Sequence, residues 1–261
     1  MPIPLAPSFG SVLAEADRTL IGMWVCSGSP LVTELCAGSG LDWLLIDTEH
    51  SPSDLMTLLG QLQATNAYPV TAVVRPPSAD PVTIKQYLDL GVQNLLIPMI
   101  DDGAQAREVA RAATYPPEGI RGVGSALARG SRWNRVPNYL DRARETLSVY
   151  VQVESDSAVK NVADIATTPG IDGIFVGPSD LAASMGLLGR QDHPDVVHAV
   201  TTCITAARRA GRKVGVNAFA PALARRYIDA GADFILVGAD VDLLARGSER
   251  LMSAYTGGGP S

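Results

Sequence analysis

Cysteine is scarce and scattered. Cys26, Cys36 and Cys203 form neither a close pair nor a metal-ligand spacing. That excludes a disulfide framework and a thiolate zinc site, and it fits a reducing, cytoplasmic compartment. Lysine is equally rare: Lys85 and Lys160 fall in helical patterns and Lys213 at the start of a strand. There is no excess of positive charge. A net charge of −6 argues against a general nucleic-acid or anionic-membrane surface. Long apolar runs are missing too, since stretches such as residues 41–46 fall far short of the roughly 20 residues a membrane span needs. The first ten residues have neither the basic start nor the apolar core of a signal peptide. The expectation is a soluble cytoplasmic protein with small-molecule partners, and neither nucleic acid nor membrane among them.

What is present is a packed globular composition, 46% hydrophobic and 18% charged. Short β-rich runs recur at residues 21–25, 43–47, 70–75, 94–98, 148–154, 173–177, 213–218 and 234–238. Helical patterns lie between most of them, at 53–64, 81–90, 102–113, 158–167, 194–210 and 220–230. Alternating strand and helix predicts parallel strands joined by right-handed crossovers. Eight strands in 261 residues favour a closed α/β barrel, the (β/α)8 or TIM barrel, over an open doubly wound sheet. Gly91, Gly170, Gly211 and Gly231 each precede a strand, where a helix ends in a left-handed residue. A long segment between Ala113 and Ser148 breaks the rhythm and is expected on the catalytic end of the barrel. Residues 1–261 read as one domain, with 257–261 expected to be a disordered tail.

Active sites of such barrels gather where strands end. The first strand brings Trp24, the second Asp47, Glu49 and His50, and the third Arg75. The fifth brings Gln152 and Glu154, and the sixth leads into Gly177-Pro178-Ser179-Asp180. Gln152 and Glu154 are two apart, so strand alternation places both inside the barrel while Val151 and Val153 face the helices. Glu154 and Asp180 on neighbouring strand ends make a hard-oxygen site suited to Mg²⁺ or Mn²⁺, with Co²⁺ and Zn²⁺ as further candidates. The alternatives are a buried ion pair with an arginine for Glu154, and helix capping for Ser179 and Asp180. His50 is placed to transfer protons and Arg75 to stabilise an oxyanion, although pairing with Asp47 or Glu49 is the other reading of the arginine. No lysine is expected at the mouth, which excludes Schiff-base aldol chemistry and leaves charge stabilisation to a metal.

The phrases at 42–50 (DWLLIDTEH), 73–76 (VVRP), 119–129 (GIRGVGSALAR) and 177–181 (GPSDL) closely resemble the HpcH/HpaI family of class II pyruvate aldolases. The likeness runs from about Gly22 to Tyr255. It implies metal ligands at Glu154 and Asp180, a catalytic histidine at His50, an oxyanion-stabilising arginine at Arg75 and a pyruvate contact at Gln152. The backbone at Ser179 and Asp180 would receive the substrate carboxylate. It also implies that Asp89 supports the histidine. Asp89 ends a helix at the opposite end of its own barrel, so this role requires a neighbouring subunit. A hexamer that exchanges its last helix, residues 240–255, is implied as well. The activity implied is reversible retro-aldol cleavage of 4-hydroxy-2-oxo acids to pyruvate and an aldehyde. A sugar-acid aldolase of the 2-dehydro-3-deoxyglucarate type, a citrate-lyase-type enzyme and a non-catalytic 2-oxo-acid-binding barrel are the competing readings. Arg121, Arg129, Arg132 and Arg135 are candidates for an acceptor carboxylate or for subunit contacts. Thr48, Ser179 and the strand at 215–219 depart from the family's usual residues, and the last of these shapes the acceptor side.

Overall fold

The computed structural model describes residues 1–256, and the expected tail at 257–261 lies outside them. Eight parallel strands pair in chain order: β1 (Leu20–Val25), β2 (Trp43–Asp47), β3 (Thr71–Arg75), β4 (Asn94–Ile97), β5 (Ser148–Val153), β6 (Gly173–Val176), β7 (Lys213–Asn217) and β8 (Phe234–Ala239). β8 also pairs with β1, so the sheet closes and keeps no free edge. Every strand end falls within one residue of its expected position. Helices alternate with the strands, and several start on an aspartate whose carboxylate accepts an N–H of the first turn. Asp54 accepts from Thr57, Asp80 from Thr83 and Asp102 from Gln105. Gly91, Gly170, Gly211 and Gly231 all have positive φ, as the junctions before β4, β6, β7 and β8 require.

Side-chain alternation divides the core into two layers. Val149, Val151 and Val153 of β5 pack outward with Ile46, Val74, Ile174, Val216 and the helices. The inward layer is aromatic at its base: Phe9, Trp43, Tyr150, Phe175 and Phe234 pack with ring centroids 5.2–6.0 Å apart. Two glycines make that floor possible. Gly22 lies in register with Trp43, and a Cβ there would sit 2.4 Å from the indole. Gly215 stands in the same relation to Phe234, with a Cβ at 2.2 Å from its ring. Below lies a short helix, Phe9–Glu15, held by Phe9 N–H to Asn94 Oδ1 at 2.7 Å and Gly10 N–H to Ser148 Oγ at 2.8 Å. With the base of the barrel filled by rings, the polar strand ends remain at the other end.

Three expectations need correction. The long segment before β5 lies at the N-terminal end of the barrel, opposite the strand ends. The helix before it, Gly103–Ala113, runs back down the barrel, so the chain leaves it at the base. Its short 3₁₀ turns pack on the helix Pro81–Leu90, and Arg129 Nη1 donates to Leu90 O at 2.9 Å. The helix expected at 158–167 is two, Asp156–Lys160 and Val162–Thr167, parted at Asn161, whose amide donates to Asp101 O at 2.9 Å. The helices Phe9–Glu15 and Pro30–Ala37 were not anticipated. Among the described residues no helix is long and apolar enough to cross a membrane. The terminal helix Asp240–Thr256 buries only Asp240, and Leu243, Leu244, Leu251 and Met252 are exposed.

Candidate active site

Asp47 and Arg75 end adjacent strands in direct register, so their inward side chains must meet. The pair is bidentate and almost fully buried: Nε donates to Asp47 Oδ1 and Nη2 to Oδ2, both at 2.9 Å. Arg75 Nη1 lies 3.0 Å from Glu49 Oε2 and donates to Gln152 Oε1 at 3.3 Å. The Trp24 ring lies 4.4 Å from the guanidinium carbon, and its indole Nε1 donates to Asn217 Oδ1 at 2.9 Å. A guanidinium placed this way is fixed in plane and charge, which suits it to orient neighbouring carboxylates. Both readings of Arg75 therefore hold: it sits at the strand ends, and it pairs with Asp47 and with Glu49. Its backbone is held as well, since Arg75 O accepts from Thr48 Oγ1 at 2.6 Å, and Tyr87 OH donates to that same hydroxyl at 2.9 Å.

β5 delivers Gln152 and Glu154 to the interior as alternation requires. Gln152 Nε2 donates to Glu154 Oε2 at 2.7 Å, and the Met99 N–H donates to Oε1 at 2.8 Å. Met99 adopts a φ of 56°, a left-handed conformation unusual for its type, which is where strain at a working site is commonly held. Burial pushes the Glu154 carboxyl up to about 7, opposed by the Met99 N–H and reinforced by the charge of Asp180. Burial likewise raises Glu49 above the usual carboxylate range, with Arg75 opposing it. Among the described residues Glu154 makes no ion pair with an arginine, so that alternative does not hold. Gly177 leaves the space beside it open, since a Cβ there would lie 2.6 Å from Glu154 Oε2. The helix Pro178–Ser184 starts at this glycine, which is its N-cap. Ser179 and Asp180 are therefore exposed first-turn residues and not caps, which corrects the capping alternative.

His50 stands at the rim with its side chain 71% exposed, and its Nε2 is 3.9 Å from Glu49 Oε2. Its N–H and that of Glu49 point at the Asp47 carboxylate, at 3.4 and 3.1 Å. Seven of the expected residues thus gather at one mouth: Trp24, His50, Arg75, Gln152, Glu154, Ser179 and Asp180. Asp89 does not join them within this chain. It accepts from buried Arg121 Nη2 at 2.9 Å, on the long segment at the barrel base. Arg129 and Arg132 are also tied there to backbone oxygens, so this chain's own mouth receives none of these arginines. Among the described residues no lysine reaches it either: Lys213 pairs with Asp233, Lys160 with Asp156, and Lys85 lies beside Gly122 of the basal segment. Asp47 and Glu49 were expected at the end of β2 and as possible partners of Arg75 but given no role of their own, and Asn217 was expected only as part of the strand on the acceptor side. The register of β2 on β3 was the available signal for Asp47.

Fold and site together define a barrel enzyme whose mouth is built from carboxylates around one buried arginine. The chain belongs to the HpcH/HpaI aldolase/citrate lyase family, whose model matches residues 20–247. It is a carbon–carbon lyase of that family. It is 50% identical over 252 residues to a hydroxypyruvate/pyruvate aldolase of Deinococcus radiodurans, covering 97% of this chain and 91% of the relative. It is 49% identical over 248 residues to a 4-hydroxy-2-oxo-heptane-1,7-dioate aldolase of Shigella sonnei, covering 95% and 94%. A crystal structure of an HpcH/HpaI aldolase/citrate lyase family protein from Burkholderia cenocepacia superposes with a TM-score of 0.91 at 39% identity, covering 95% of this chain and 99% of that one.

Proposed function

We propose that this chain cleaves 4-hydroxy-2-oxo acids to pyruvate and an aldehyde, reversibly, with Glu154 and Asp180 holding a divalent cation. The observation that carries the reading is Glu154 itself: a buried carboxyl, raised by desolvation and by Asp180, beside a glycine that leaves room at its oxygen. Two nearby carboxylates, one of them buried, repel each other, and a divalent cation removes that conflict. The donors are hard oxygens, which suits Mg²⁺ or Mn²⁺ over a closed thiolate or imidazole site. Among the described residues no third acid, histidine or cysteine joins them in a ligating group, leaving positions for substrate and water. The bound ion would supply Lewis-acid stabilisation of the charge that cleavage leaves on the 2-oxo acid.

The chain's own residues account for the remaining steps. Backbone N–H groups at the start of the helix Pro178–Ser184 favour the substrate carboxylate. Gln152, anchored between Arg75 and Glu154, presents its amide to the keto acid. His50, at the wet rim, takes the 4-hydroxyl proton through a water. As the C3–C4 bond breaks, its electron pair stays with C3 and C4 becomes the aldehyde carbon. Arg75 has five N–H groups, three of them hydrogen-bonded to Asp47 and Gln152 with Glu49 as a further ion-pair partner, and the remaining donor capacity serves the developing oxyanion.

The working form we propose is a cytoplasmic homo-oligomer, a hexamer that exchanges the helix Asp240–Thr256 between subunits. The support for exchange is the exposed apolar face of that helix. In such an assembly Asp89 of one subunit would approach His50 of another. The reading is tested by assaying pyruvate release from 4-hydroxy-2-oxo acids with and without EDTA. Activity should vanish on chelation and return with Mg²⁺ or Mn²⁺, and turnover that survives thorough chelation would overturn it.

A further inference from the structure

The ladder between β1 and β8 slips where the mouth begins. Gly22 pairs with Leu236 but Trp24 with Ala239, so β8 advances three residues while β1 advances two. A bulge of this kind breaks regular pairing and re-aims the side chains beyond it. The turn after β1 is held by a side chain instead. Asp240, the first residue of the helix Asp240–Thr256, accepts from Cys26 N–H with Oδ1 at 2.8 Å and from Ser27 N–H with Oδ2 at 3.1 Å. Val241 N–H of its own helix donates to Oδ1 at 2.8 Å. The residue is 2% exposed, and among the described residues no cation pairs with it; Arg246 of the same helix binds Asp242 and Glu249. A buried carboxylate held only by backbone N–H groups fixes those groups firmly, because such charge-assisted bonds are strong and costly to leave unmade.

Two side chains of this stretch pack on one ion pair. The Trp24 ring covers the Arg75 guanidinium at 4.4 Å, and Cys26 Sγ stands 4.0 Å from Asp47 Oδ2. We propose that Asp240 is a positioning residue for the cleavage reaction: it grips β1 where the ladder has slipped, and so seats Trp24 and Cys26 against the Arg75–Asp47 pair. The inference rests on the aldolase reading above, and adds to it the group that keeps the indole on the face of the arginine. An arginine shielded from water on one side acts in a lower dielectric, where its charge stabilises a developing oxyanion more strongly. That charge appears only as the bond breaks, so loss of Asp240 falls on kcat and spares KM. The same side chain opens the terminal helix, so one carboxylate joins the turn at the mouth to the start of that helix.

The test reads Asp240→Ala and Asp240→Asn in the Mg²⁺-loaded enzyme. Asp240→Ala leaves the Cys26 and Ser27 N–H groups without an acceptor, and kcat for a 4-hydroxy-2-oxo acid should fall about tenfold with KM within about twofold. Asp240→Asn keeps one acceptor oxygen and should lose only about threefold in kcat. A second reading is chemical. Burial pushes the Cys26 thiol up to about 12, with Asp47 and Asp240 adding to it, so iodoacetamide should modify it slowly in the wild type. In Asp240→Ala that rate should rise about tenfold while buried Cys203 stays protected, as peptide mass spectrometry will show. Unchanged kcat, a rise in KM alone, or exposure of Cys203 together with Cys26 overturns the proposal, the last because it reports general loosening. If Asp240→Ala does not fold, Asp240→Asn carries both readings at about threefold. A wild type that cleaves no keto acid overturns the aldolase reading and this role with it. An active wild type whose variants keep Cys26 shielded overturns the role alone.

Discussion

Glu154 holds the sharpest electrostatic conflict at the mouth. Its carboxyl is raised from 4.5 to about 7 in the folded chain, so the native state binds that proton more tightly than the unfolded state does. The contribution is therefore fully present below pH 4.5 and is lost as pH rises through about 7. In EDTA the chain should lose about 3 kcal/mol of stability from this group across that window. Glu154→Gln should flatten the slope, which melting curves collected in steps of pH will read. Arg75 is the second test at this scale. Arg75→Lys keeps the charge but forfeits the planar fork on Asp47, and kcat/KM should fall by about 10²–10³-fold. Asp47→Asn, which leaves the buried guanidinium poorly matched, should also destabilise the fold by about 3 kcal/mol. Urea denaturation of the two variants distinguishes lost catalysis from lost folding.

At the scale of elements, the strands were legible because each is buried on both faces and bounded by turn residues. β5 shows the logic most clearly: valines at alternate positions could only face the helices, which left Gln152 and Glu154 to the interior. The glycine junctions were legible for the same local reason, since a left-handed residue must end each helix. What was not legible depends on contacts distant in sequence. The helix Phe9–Glu15 is short and is fixed by Asn94 and Ser148, neither of which its own pattern reveals. The long segment at 114–146 was assigned to the wrong end because its length drew more weight than the direction of the helix before it. Asp47 was named at the mouth and as one of two possible partners of Arg75, and only the β2–β3 register settles that the two side chains meet. Gly22→Ala tests how tightly these elements are matched. A methyl group there meets the Trp43 ring across the β1–β2 pair, and the variant should lose about 2 kcal/mol with activity at low temperature retained. A loss below about 0.5 kcal/mol, by urea titration, would mean that the indole moves aside freely.

For the whole molecule, the feature that asks for a partner is the terminal helix. Its seventeen residues bury almost nothing against the barrel, while Leu31 and Leu35 on the helix Pro30–Ala37 are also left exposed. Apolar surface of this extent usually marks an interface. Light scattering of the wild-type chain should give a multiple of its 27.4 kDa mass. Removal of residues 241–256 should reduce that multiple and leave a chain prone to aggregate. A monodisperse monomer for the wild type would remove the case for exchange, and with it the route by which Asp89 reaches a histidine.

The plugged base has one further consequence. Because aromatic rings stop the lower end of the cylinder, traffic in and out shares a single doorway. Whichever fragment sits deeper must depart last. With pyruvate seated innermost, the aldehyde leaves first, and product-inhibition patterns should show pyruvate competing with the intact keto acid while the aldehyde does not.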